Sequence, residues 1–525
     1  MNEFIAKYQD EISGSLTGLD RLVFRGSLRS IAYAQGMDKC RTLNGVLLKD
    51  FGKYAEKASA RLEEASLAEA KRAGRPIQYL RSSRIDKEDL ARQIAAKDGV
   101  GEGLICVLRS IEPCASFEVY RNRDQKQLEL RSRQRKCMHL YHYQVHPEFG
   151  WMNARVQTWF PFSIQICLHG REWLARQLDR QRSDYTKHGN CLVWVKDWEQ
   201  AQRLLEQQLR VNWPQLLDGI AAQINPALEE ILGQWKANYY WSTDQCEWAT
   251  DVVFRDGGRL RKLYERMVRH SMTALSCTDV MRYLGRRVRL DGTVPQNFSA
   301  EVVMDLRQRP EGVRIKHRIN DNSLKAYDKA FTTAGNVLRF EATTANVSQW
   351  KAYRPKEGDP DGKRAWRPMR RGIADLHRLT EVSERATERY MNALAQVDES
   401  CTVLELVEQL NQRKLWHWHW VRGLLPFGKD HALLRAINHG EFLLHGVRNR
   451  DLRKLQFASG EVSEQERRRR AARVSRQLRM LRAHGLIQKL PKTHRYQVTE
   501  SGRAILAALF AAWNAKVSQL TALTA

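Results

Sequence analysis

The chain is poor in acids relative to bases, has no close cysteine pair, and contains no long apolar run. Against 60 aspartates and glutamates stand 87 lysines and arginines, which gives a net charge of +27 and a pI near 9.9. A surface that basic attracts polyanions, and nucleic acid is the commonest of them. No long basic amphipathic helix stands outside a DNA-binding context, which disfavours an anionic membrane as the polyanion. The nine cysteines are scattered and none forms a Cys-x-x-Cys pair, which points to reduced, buried thiols and away from disulfides or a zinc site. Without a run of about 18 apolar residues, no transmembrane helix is expected. Residues 1–7 lack the apolar core of a signal peptide, so a cytoplasmic location is expected. Gly99-Val-Gly-Glu-Gly103 misses the spacing of a dinucleotide fingerprint, and no phosphate-loop Lys-Ser/Thr accompanies it.

What is present suits a packed, multidomain protein. Its 525 residues imply two to four domains, and 42% hydrophobic content is normal for a globular core. Local patterns predict an α+β multidomain fold of mixed antiparallel sheets with helices. Residues 1–74 read as a helical N-terminal region, with breaks at Gly14, Gly18 and Gly36. Residues 75–235 read as an α+β domain, with a hairpin turning at residues 146–150. A second α+β domain covers 236–411 around a central antiparallel sheet, and a further domain covers 429–525.

The central sheet is predicted from residues 312–344. Three pieces alternate with period 2, the sign of half-buried strands. Val313, Ile315 and Ile319 take one face of the first, and Arg314, Lys316 and Arg318 the other. Lys325, Tyr327 and Lys329 share a face of the second. In the third, Leu338, Phe340 and Ala342 face the core, while Arg339, Glu341 and Thr343 face away. A hairpin turn is expected over residues 332–336. Cations on such an outward face suit a phosphate backbone, so Arg314, Lys316 and Arg318 are candidate nucleic-acid contacts.

The last hundred residues predict helices over 431–438 and 447–455, then a long helix opened by the capping box Ser463-Glu-Gln-Glu466. On it Val474, Leu478 and Leu481 gather on one side, and Arg469, Arg473, Arg476 and Arg479 on the other. Two strands with a basic tip and a closing helix follow. The run Leu481-Arg-Ala-His-Gly485-Leu-Ile487, then Arg495-Tyr-Gln-Val-Thr499 and Gly502-Arg503, resembles the winged-helix fold of bacterial DNA-binding regulators. The resemblance implies that the arginine-rich helix enters a major groove and that Lys492, His494 and Arg495 sit on the wing.

A second resemblance is carried by Asp251, Tyr327-Asp-Lys329 and Leu338-Arg339-Phe-Glu341. Their order is similar to that in rolling-circle replication initiators, including the filamentous-phage nicking proteins. The whole chain also looks like a widespread group of bacterial proteins, a likeness that brings no function. The initiator resemblance implies that Tyr327 is a nucleophile towards a DNA phosphodiester. Asp251 and Glu341 would then hold Mg²⁺ or Mn²⁺, and Lys325, Lys329 and Arg339 would grip the strand and favour the phenolate. Two function classes follow: a strand-nicking and joining enzyme of a mobile element or replicon, or a non-catalytic winged-helix regulator of DNA or RNA. An RNA-guided role stays open, with DNA favoured as partner. The first class needs acidic metal ligands that the second does not.

Overall fold

In the computed structural model the first long element is a strand, β1 (Ile12–Ser27), where a broken helix was expected. The structure describes residues 2–124, 126–273, 275, 277–285, 302–309, 312–319, 321–329, 336–356, 358–359, 361–395, 403–416, 418–438, 442, 446–457, 463–490 and 493–516. The glycines of β1 are packing residues and not helix breaks. A Cβ on Gly14 would lie 2.1 Å from the Trp198 ring, and one on Gly18 would lie 2.7 Å from Leu205. Their absence lets the helix Trp198–Gln207 lie directly on the strand.

The fold is mixed α and β, with a large mixed sheet and many helices. The remaining strands of the sheet and its hairpin are β2 (Ile77–Tyr79), β3 (Gly103–Asn122), β4 (Gln127–His146), β5 (Gly150–Gln157), β6 (Ile164–His169), β7 (Tyr185–His188), β8 (Cys191–Val195), β9 (Tyr240–Phe254), β10 (Val302–Arg309), β11 (Gly312–Ile319), β12 (Asn322–Asp328) and β13 (Val337–Thr344). Two compact units divide the chain: Gly14–Val253 with Glu341–Glu384, and Met1–Ser13 with Phe254–Phe340 and Arg385–Ala525.

In the first unit the strand order is β13-β9-β1-β6-β5-β4-β3-β2. Most neighbours run antiparallel, as in Val23↔Cys167 between β1 and β6, whereas β2 runs parallel to β3. The expected hairpin turns where His146 of β4 faces Gly150 of β5. Helix Phe51–Arg72 buries Phe51, Ala55, Ala58, Leu62 and Ala70, a helical stripe at three- and four-residue spacing. Gly74 at φ 62° then ends it, as a left-handed position after a helix favours glycine. The stripe joins Phe24, Ile166, Leu174 and Leu205 in one apolar core.

In the second unit the order is β10-β11-β12-β13, with antiparallel registers Arg314↔Tyr327 and Lys316↔Lys325 between β11 and β12. Tyr264, on helix Gly257–Thr273, donates its hydroxyl to the carbonyls of Val313 and Ala326. Tyr390 lies 3.0 Å from His317 Nδ1, and its ring meets Phe340 edge-on. These strands are not half-buried as the alternation predicted: every residue of β12 and β13 is buried. Of the expected turn at 332–336, residues 332–335 lie outside the described residues.

The elements expected towards the C-terminus are present in order. Helix His431–Ile437 leads to Val447, which bridges Tyr496, and helices Asn449–Gln456 and Glu464–Ala483 follow. Ser463 Oγ accepts from the Glu466 amide at the start of the long helix. Strands Ile487–Lys489 and Tyr496–Val498 pair antiparallel, and helix Glu500–Asn514 closes the run. Val474, Leu478 and Leu481 enter a core with Leu434, Val447 and Leu509. No helix among the described residues is long and apolar enough to cross a membrane.

Candidate metal centre

Three neighbouring strands of the first unit each bring one acid to a common point. Asp20 comes from β1, Glu247 from β9 and Glu341 from β13, and β9 lies between the other two in the sheet. One carboxylate oxygen from each lies within 4.8 Å of the others. All three side chains are buried, at 3%, 8% and 4% exposure. Carboxylates held so close repel each other unless a cation or proton is shared among them.

Polar neighbours orient the cluster. Thr343 Oγ1 lies 3.2 Å from Glu341 Oε1 and 3.4 Å from Glu247 Oε1, so one hydroxyl addresses both. Gln245 donates to Glu247 Oε1 at 2.6 Å, and Asn190 donates to Asp20 Oδ2 at 3.4 Å. Such outer contacts fix which oxygens face the centre. An all-oxygen donor set fits a hard cation such as Mg²⁺ or Mn²⁺, and lacks the nitrogen and sulfur donors that zinc favours.

Asp251, expected as a metal ligand, is occupied elsewhere. Its Oδ2 accepts from Arg171 Nε at 2.9 Å, and both side chains are fully buried. It lies four positions along β9 from Glu247, about 13 Å on an extended strand, so it stays out of the cluster. Glu341 is the one expected ligand that joins the cluster. Asp20 was missed because residues 1–74 read as a helical region. Glu247 was missed because Asp251 drew the reading of β9. Both carried a signal, an acid inside an apolar strand: Leu19-Asp-Arg-Leu-Val-Phe24 and Cys246-Glu-Trp248.

The other expected residues fall in the second unit. Tyr327 and Lys325 lie on β12, Lys329 directly follows it and Arg339 lies on β13, and all four are buried where an outward face was expected. Lys329 Nζ sits 5.0 Å from the centre of the Tyr327 ring. Arg314 reaches Asp305 at 3.5 Å. Burial, then the charges of Lys325 and Arg314, push the Lys316 ammonium below the usual lysine range. Arg318 is exposed, opposite Ser323. Arg469, Arg473, Arg476 and Arg479 are exposed on the long helix, opposite its buried stripe. His494 is exposed and Arg495 half-buried at the hairpin, while Lys492 lies outside the described residues. No family model, curated protein or solved structure matches the chain.

Proposed function

We propose that this protein is a nucleic-acid strand-cutting enzyme that works with Mg²⁺ or Mn²⁺ held by Asp20, Glu247 and Glu341. The observation that carries the reading is the convergence of three buried carboxylates from three adjacent strands. A cation there would offset charge on a pentavalent phosphate. The net charge of +27 and the exposed arginines of the long helix supply the attraction for the polyanion. The order of elements from 431 to 514 supports the winged-helix reading, with Arg469, Arg473, Arg476 and Arg479 meeting a groove and His494 and Arg495 on the wing.

The reaction has a hydrolytic and a strand-joining form. In the hydrolytic form, water attacks phosphorus and loses a proton, and the leaving 3′ or 5′ oxygen gains one. In the strand-joining form, the Tyr327 hydroxyl attacks instead, and a phosphotyrosine bond replaces the broken phosphodiester. Lys325 and Lys329 would favour the phenolate, and Arg339 would hold a phosphate. Tyr327 at 5% exposure and the three acids at 3–8% are alike in burial, so both forms need the sheet to open to the phosphodiester.

The test has two stages. Titration calorimetry with Mn²⁺ should give saturable binding that Asp20→Asn, Glu247→Gln and Glu341→Gln each weaken about tenfold or more. Labelled single- and double-stranded DNA and RNA should then be cut in Mn²⁺ by the parent and not by Asp20→Asn. Absence of Mn²⁺ binding by the folded parent would leave a cluster neutralised by side-chain cations. The second reading, a non-catalytic regulator favoured by the exposed arginine helix, would then stand.

A further inference from the structure

The second unit holds a half-open cavity of about 220 Å³ whose walls carry more guanidinium than carboxylate. Arg282, Arg389 and Arg503 line it, against Asp279 and Glu3. Asp279 is committed to Arg282, with 2.7 Å between Oδ1 and Nη1. Arg389 donates Nε and Nη2 to the Tyr283 carbonyl and has no carboxylate within ion-pair distance among the described residues. Arg503 is barer still. Its Nε is buried without a hydrogen-bond partner, and its guanidinium makes no other contact of that kind among the described residues. Asn392, also on the wall, has a buried Oδ1 in the same condition.

Buried polar atoms without partners are rare in folded proteins, and each costs on the order of 1–3 kcal/mol. The side chains that carry these atoms line one space. A planar guanidinium with free N–H groups matches the paired oxygens of a carboxylate or phosphate. The lining also has an apolar share: Leu275, Ala393, Ala507 and Phe510. The volume exceeds the roughly 150 Å³ of a cavity that takes up benzene.

We infer that this cavity binds a small organic anion, an apolar body of about ring size bearing one carboxylate or phosphate that meets Arg389 and Arg503. The site shares no residue with the metal cluster, and a nucleic-acid strand is too large for the space. The ligand would join helix Glu500–Asn514, which carries Arg503 and Phe510, to helices Cys277–Tyr283 and Leu376–Ala395.

Calorimetry and thermal melting of the full chain test the site, with benzoate and phenyl phosphate as probes and sodium sulfate at equal ionic strength as control. One organic probe should bind saturably at one equivalent and raise Tm, and the stronger of the two identifies carboxylate or phosphate as the preferred group. Arg503→Gln should weaken that binding about tenfold or more, as loss of a charged hydrogen bond implies. Ala507→Leu should abolish it by filling the space while leaving every guanidinium in place. Heats that do not saturate, or a Tm rise matched by sulfate, overturn the site. So does unchanged affinity in Ala507→Leu, the variant that decides the matter if Arg503→Gln fails to fold.

Discussion

Asp251→Ala should destabilise the first unit by about 3–5 kcal/mol, because it leaves a buried cation without its counter-charge. Arg171 and Asp251 are both fully buried and 2.9 Å apart. The other partners of Arg171 are the carbonyls of Leu16, Leu19 and Ala249 at 3.0–3.4 Å, which accept its hydrogens but do not neutralise it. A loss of that size is a large part of the roughly 5–15 kcal/mol that holds a typical domain folded. Arg171→Met combined with Asp251→Leu removes both charges and should recover most of the loss. Urea unfolding followed by tryptophan fluorescence reads this unit well, since eleven of the fifteen tryptophans lie in residues 14–253 and 341–384. Mn²⁺ binding by folded Asp251→Ala should match the parent, because Asp251 is outside the cluster. A loss below about 1 kcal/mol would refute the buried pair as a stabilising contact, and so would a double variant as weak as the single one. Loss of Mn²⁺ binding would return Asp251 to the metal centre.

Acid should weaken the same unit between about pH 6.5 and 4. Burial holds His142 and His139 down at about 4, with the charge of Arg155 adding to the effect at His139. A depressed imidazole stabilises above its unfolded value near 6.5 and loses that contribution as pH falls to its folded value. His142→Asn should flatten the dependence of the urea midpoint on pH in that window. At Asp430, burial pushes the carboxyl up, but the paired hydrogen bonds from Arg422 and the Leu425 amide pull it below the usual aspartate value of 3.8. Its stabilisation is present above 3.8 and fades below it, and Asp430→Asn should remove that acid-sensitive part of the melting curve. Gly18→Val should cost about 1–3 kcal/mol by pressing on Leu205, which lies 2.7 Å from the added Cβ, and a melting temperature equal to the parent's would contradict that close packing. Changing Arg473, Arg476 and Arg479 together to Ala should lower affinity for duplex DNA, with the melting temperature unchanged. The slope of log affinity against log salt should flatten by up to about 0.9 for each phosphate that the variant no longer neutralises.

Legibility followed how local the deciding contacts are. From residue 431 onward the signals are short-range. Ser463 caps its own helix, Val474, Leu478 and Leu481 repeat at helical spacing, and the strand pair closes within a dozen residues. Those elements were readable one by one. β11 to β13 were readable as strands, because period 2 belongs to the strand itself. Their burial was not, because a cationic face can be covered by elements far away in sequence, and alternation only separates two faces without saying what covers either. β1 failed for the same reason in reverse. Gly14 and Gly18 look like helix breaks until Trp198 and Leu205 arrive to fill the space above them. The candidate site shows the limit most sharply. Glu247 and Asp251 are two acids on the same side of one strand, the first between Cys246 and Trp248 and the second between Thr250 and Val252. Nothing within 240–254 ranks one above the other as a metal ligand. Arg171, on helix Gly170–Arg180, takes Asp251 as its counter-ion, while Asp20 and Glu341 converge on Glu247 from the strands on either side. The roles of the two acids are therefore assigned by partners that the strand's own sequence does not contain.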